Sequence, residues 1–174
     1  MSRRITLMLL GVVLASGAVG CVDNTSGSPT TTSTAAAALF NPCTGISGDV
    51  VRAAGADPAT EESGIAGVHQ PGWEICGWTA KTYFITVFST GRTVEEFERK
   101  PGNVEFQDVT VAGRQGRQFK VEGASKDDLC DVLFPAAHGV VQLRIENKAS
   151  TDGAEDPCAV LYRVGESMVP TFPR

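Results

Sequence analysis

Five cysteines set the first constraint on this chain, because their positions bear both on where the protein is delivered and on how its core is tied. Cys43, Cys76, Cys130 and Cys158 lie far apart in sequence. No Cys-x2-Cys pair is therefore present to seed a zinc site or a dithiol redox motif. Cys21 stands apart from these four. It follows a leader in which Arg3 and Arg4 precede an apolar run from Ile5 to Val19, closed by Ala18-Val19-Gly20. A positive start, an apolar middle and a small-residue end make a secretory signal, and the run is shorter than the ~20 residues a permanent span needs. Export puts the other four cysteines in oxidising surroundings, where an even number reads as two disulfides.

Ala18-Val19-Gly20-Cys21 resembles the lipobox of bacterial lipoproteins, with Ala18 where Leu is usual. The resemblance implies that residues 1–20 are a lipoprotein signal peptide and that Cys21 takes a diacylglycerol on its thiol and becomes the new N-terminus. Lipidation also accounts for the odd cysteine, which a secreted chain seldom leaves free. Acyl chains in pairs anchor stably where one alone holds marginally. The expected partner is thus the membrane, through diacylglyceryl-Cys21. The expected location is the extracytoplasmic face of the cell membrane.

Residues 21–39 read as that lipidated cysteine and a tether. Its Thr-, Ser- and Ala-rich composition offers too little apolar surface to offset the entropy of ordering it. As a flexible chain its reach is about 20 to 25 Å. The sequence carries 15 Lys and Arg against 20 Asp and Glu, a net charge of −5, and loss of Arg3 and Arg4 with the leader makes the mature protein more negative. That balance gives no electrostatic case for binding nucleic acid.

Residues 40–174 have the length of one domain. Ser47 is placed to cap a short helix over 48–54, and the Gly- and Glu-rich stretch from Asp57 to Pro71 reads as an irregular loop. Tyr83 to Phe88 is the strongest strand signal, rich in β-branched and aromatic residues. Large apolar groups on both its faces predict a central strand covered on both sides. Thr93-Val94-Glu95-Glu96 has the Thr-x-x-Glu form of a capping box. Two hairpins follow, Val109–Val111 with Gln118–Val121 and Leu129–Phe134 with Val140–Ile145. Asp156-Pro157 opens a last helix with an N-cap acid and Pro at the first position. In it Val160, Leu161, Val164 and Met168 fall on one face. Gly165 costs that helix about 1 kcal/mol against Ala, which points to close packing there. The fold expected is α+β: an antiparallel sheet of about five to six strands, an N-terminal short helix, a C-terminal helix and two disulfides.

Four cysteines allow three pairings, and spacing does not choose among them. The architecture favours Cys43 with Cys76 and Cys130 with Cys158, since each bridge then ties a terminal helix to the entrance of a strand. Each would stabilise the domain by roughly 3 to 4 kcal/mol. Asn41-Pro42-Cys43, Cys76-Gly77-Trp78, Val111-Ala112-Gly113 and Asp156-Pro157-Cys158, with Cys21 and the tether, together resemble the actinobacterial lipoproteins grouped as a domain of unknown function and best known from mycobacteria. The resemblance covers nearly all of the mature domain. It implies a surface lipoprotein of the cell envelope with two disulfides and carries no activity over.

Reaction chemistry is sparse. His69 and His138 are the two histidines, and neither sits beside a Ser or Cys in a nucleophile-like context. No Gly-x-Ser-x-Gly elbow, His-Glu-x-x-His or P-loop occurs, so no catalytic residue, metal or cofactor is expected. Asp127, Asp128 and Asp131 lack the alternating oxygen ligands and distal Glu of an EF-hand and read as a solvated acidic turn. Trp78, beside a cysteine, reads as core, whereas Trp73, after Pro71-Gly72, is the candidate contact for a ligand or partner. These features point to a non-enzymatic binding or accessory module whose partner is an envelope protein or a lipid. The alternatives are an apolar-ligand carrier, or an enzyme with a site not visible in sequence.

Overall fold

The computed structural model describes residues 38–124, 128–149 and 154–174. The leader 1–20, Cys21, most of the tether and Asp127 lie outside the described residues. Near the N-terminal end, Asn41 caps a single turn, α1 (Pro42–Gly45), by accepting from the Cys43 and Thr44 amides. Ser47 caps α2 (Gly48–Ala53). The chain then enters β1 (Ala56–Ser63), β2 (Trp73–Ala80) and β3 (Tyr83–Thr90). Next come α3 (Val94–Arg99), β4 (Asn103–Val111), β5 (Arg114–Val121), β6 (Leu129–Ala136) and β7 (Gly139–Asn147). Helix α4 (Pro157–Met168) follows and runs into a 3₁₀ turn at Val169–Thr171.

Seven strands form one sheet in the order β1-β2-β3-β7-β6-β5-β4, every neighbouring pair antiparallel. The count exceeds the five to six expected because the stretch read as an irregular loop supplies β1. Its sequence hides the strand for a physical reason. A strand at the edge of a sheet tolerates proline, here Pro58, and all but its first residues lie largely open to solvent, so no apolar alternation marks it. A register shift between Asp57 and Glu62 interrupts its pairing with β2.

The sheet has two unlike faces. One is packed under α1, α2 and α4: Trp78, Ile85, Val87, Leu143, Ile145, Val132 and Phe134 meet Ile46, Val51, Leu161, Val164 and Met168 in a continuous core. The expectation that β3 is covered on both sides fails on the other face. There Phe84 is 39% exposed and Phe88 half-buried, because among the described residues the two-turn α3 is the one helix that lies over that side. Thr93 and Glu96 close the capping box that starts α3, and Phe97 anchors the helix on Phe119, Leu133 and Val140.

The disulfides join Cys43 to Cys76, 33 residues apart, and Cys130 to Cys158, 28 apart. The first ties α1 to β2 and the second ties α4 to β6. A Cβ at Gly165 in α4 would run into the Val111 side chain, so the residue that weakens the helix is the one that lets it settle on the sheet. The β4–β5 turn places Ala112 and Gly113 at φ 49° and 72°, the left-handed pair whose twist matches that of the strands it joins.

Candidate functional site

Across the face left bare by α1, α2 and α4 runs an open groove. Its first part has a volume of about 310 Å³ and is walled by Trp73, Ile75, Phe88, Phe97, Phe119 and Val121. Its second part, about 360 Å³, extends over β1, β2 and β3 past Gly77, Thr79, Phe84 and Thr86. Ile65, Phe88 and Arg144 line both parts and join them.

The aromatic wall is built from edge contacts. Trp73 meets Phe88 at 6.2 Å and Phe97 at 6.1 Å between ring centroids, near-perpendicular in both cases. Phe106 stacks on Phe119 at 5.3 Å. Such tilted and offset pairs suit the ring quadrupoles and hold the side chains in fixed orientations. Above the wall hangs the β1–β2 loop. Ile65 and Val68 exchange backbone hydrogen bonds of 2.9 and 3.0 Å around Ala66 and Gly67, both left-handed. This hydrogen-bonded tip holds Ile65 48% and Val68 61% exposed.

The floor is polar at its centre. Asp131 is fully buried, accepts from Arg144 Nε at 2.8 Å and Nη2 at 3.1 Å, and accepts from Gln142 Nε2 at 2.5 Å. The reading of Asp131 as part of a solvated acidic turn is thus overturned. It lies within β6, opposite Arg144 on β7, on the face that α4 does not cover. The Arg144 guanidinium also lies over the Phe88 ring at 5.5 Å, so one side chain neutralises the buried carboxylate and pads the aromatic wall. Its Nη1 group makes no hydrogen bond to a described residue.

Of the residues singled out in the sequence, Trp73 is half-buried on the groove wall, while Trp78 is 2% exposed inside the core on the opposite face. His69 and His138 are both exposed, and neither makes a side-chain hydrogen bond to a described residue. Cys43, Glu61 and Cys76 bring ligand atoms within 4.8 Å of one another. Both sulfurs are consumed in the disulfide, and a metal takes thiolates. Sequence reasoning missed Phe84, Phe88, Phe97, Phe119, Asp131, Gln142 and Arg144 as parts of one site. The available signal was the second apolar face of β3, which a single covering helix leaves as groove.

Among the described residues no helix is long and apolar enough to cross a membrane. No curated protein and no solved structure matches the chain. Residues 16–171 match the model of a family described as a protein of unknown function, DUF3558, and since that match takes in the sheet, the groove and both disulfides, the chain belongs to this family.

Proposed function

We propose that this protein is a lipid-anchored, extracytoplasmic binding module of the cell envelope, held at the membrane through Cys21, which uses the open groove to hold a partner. The observation that carries the reading is the groove itself, a fixed aromatic wall with a hydrogen-bonding floor on the one sheet face that the larger helices leave bare. Concave, mostly apolar surfaces with a few placed polar groups are the usual form of binding sites. The exposed pair Ile65 and Val68 extends the apolar surface beyond the wall, as interaction surfaces do. The anchor is supported by the order of charge, apolar run and Ala18-Val19-Gly20-Cys21, and an actinobacterial envelope origin by the resemblance of the Pro-Cys, Cys-x-Trp and Asp-Pro-Cys motifs.

The carrier reading is second. An acyl chain asks for an enclosed apolar cavity, and this groove is open along its side and polar at mid-floor. The test is site-specific photocrosslinking in native membranes, with p-benzoylphenylalanine at Phe84 in the groove and at Arg163 on the exposed side of α4. Adducts to one defined protein from position 84 and none from 163 are expected. Equal adducts from both faces, or none from position 84, sink the reading. Cys21→Ala is expected to release the protein from the membrane fraction, and its retention there overturns the anchor.

A further inference from the structure

We propose that the groove takes a short extended stretch of polypeptide, with a basic side chain at its Glu62 end and an acidic one at its Lys100 end. This assignment rests on the groove being the binding site. The strand register lays one row of residues across six strands. Glu62 on β1 faces Gly77, which faces Thr86, which faces Arg144, which faces Asp131, which faces Phe119 on β5. At ~4.8 Å per strand the row is about 24 Å long, the span of about seven extended residues.

Chemistry along the row decides between occupants. The Phe119 end is aromatic, but the middle presents Thr86 and the Arg144 guanidinium. An acyl chain laid there would strip water from these groups and return no hydrogen bond. A peptide carbonyl accepts from the guanidinium, and a side chain between carbonyls fills the Trp73–Phe119 end. The charges are divided. Glu62 lines the β1 end and Lys100 the Phe119 end, and neither is ion-paired with a described residue; Glu146 on β7 and the Lys148 ammonium over the Phe84 ring lie beside the row between these ends and carry opposite charges. The groove is therefore electrically polar along its length, and complementarity asks for an opposite polarity in the segment it holds.

The test is fluorescence anisotropy on the full-length lipidated protein in phosphatidylcholine nanodiscs. The probes are four labelled peptides with a shared Leu-Thr-Phe-Thr core and ends Lys/Asp, Asp/Lys, Lys/Lys or Gln/Gln. One of the two opposite-charge peptides is expected to bind about three- to tenfold tighter than the Gln/Gln peptide, as two exposed charge pairs allow. Added salt should shrink that advantage. Lys100→Glu is expected to move the preference to the Lys/Lys peptide. Trp73→Ala and, independently, Phe84→Ala are expected to weaken all four, with circular dichroism checking that each variant folds. Equal affinities that Lys100→Glu leaves unchanged, with Trp73→Ala still weakening all, overturn the charge assignment and leave the groove standing. Binding that ignores both Trp73→Ala and Phe84→Ala sinks the groove as the site. Failure of all four peptides to bind, or their displacement by sodium oleate, overturns polypeptide as the occupant.

Discussion

Arg144 holds the groove's chemistry together, because it is the counterion of a carboxylate that has no access to water. Breaking a buried ion pair from one side costs about 3 to 5 kcal/mol, since the remaining charge is left uncompensated. The Arg144 side chain is 26% exposed, which puts the expected cost of Arg144→Met nearer ~3 kcal/mol. Urea unfolding measures it. The double variant Asp131→Asn/Arg144→Met should be more stable than Arg144→Met alone, because the amide removes the stranded charge. If it is not, the ion pair is not what holds this site. The pairing was within reach of the sequence. Counted outward from a two-residue turn at Ala137-His138, Asp131 and Arg144 fall opposite each other. The sequence admits a turn anywhere over Pro135 to Gly139, and that latitude leaves the register unfixed. Trp73 was found because it follows a Pro-Gly turn. Its ring partners Phe88 and Phe97, and Phe119 behind Phe97, come from three separate elements that only the fold brings together.

Among the elements, α4 is joined to the sheet by more than apolar contact. The Tyr162 hydroxyl donates to Gln118 Oε1 on β5 at 2.5 Å. Burial, with Asp156 nearby, raises the Tyr162 phenol above its ordinary value, which for a phenol is about 10. A raised value means that the folded state favours the neutral, donating form. Its contribution is complete below about pH 10 and is lost as pH climbs through the folded-state value. Urea titrations of wild type and Tyr162→Phe should thus differ by a constant amount up to about pH 9 and converge above pH 10. A gap that stays constant to pH 11 would mean that the hydroxyl does not tie α4 to β5. Helix α4 itself was legible from Asp156-Pro157 and its apolar spacing, and α3 from its capping box, since both signals are local. β1 was not legible. Its place at the sheet's edge removes the alternation that marks a half-buried strand, and Pro58 argues against a strand anywhere but there.

For the molecule as a whole, the two bridges set how much stability the domain holds in reserve. Replacing Cys130 and Cys158 together by Ala should cost about 3.5 kcal/mol in urea unfolding, the loop-closure value for a loop of this length. Peptide binding under folding conditions should be unchanged, because that bridge lies on the face away from the groove. The α+β class and the two disulfides were legible from the even number of cysteines beyond Cys21, the hairpin turns and the helix caps. The asymmetry of the sheet was not, because alternation reports that a strand has two apolar faces and not how much helix there is to cover them. The Cys43–Cys76 bridge has a mechanical consequence as well. Tension drawn along the backbone from the N-terminal side of Cys43 passes through the bridge into β2, next to the interior strand β3. The 33-residue interval between the two cysteines, holding α2, β1 and the loop tip over the groove, is shunted out of the load path. About 110 Å of contour is thereby kept from paying out, and the loop that roofs the groove stays slack while the protein is pulled.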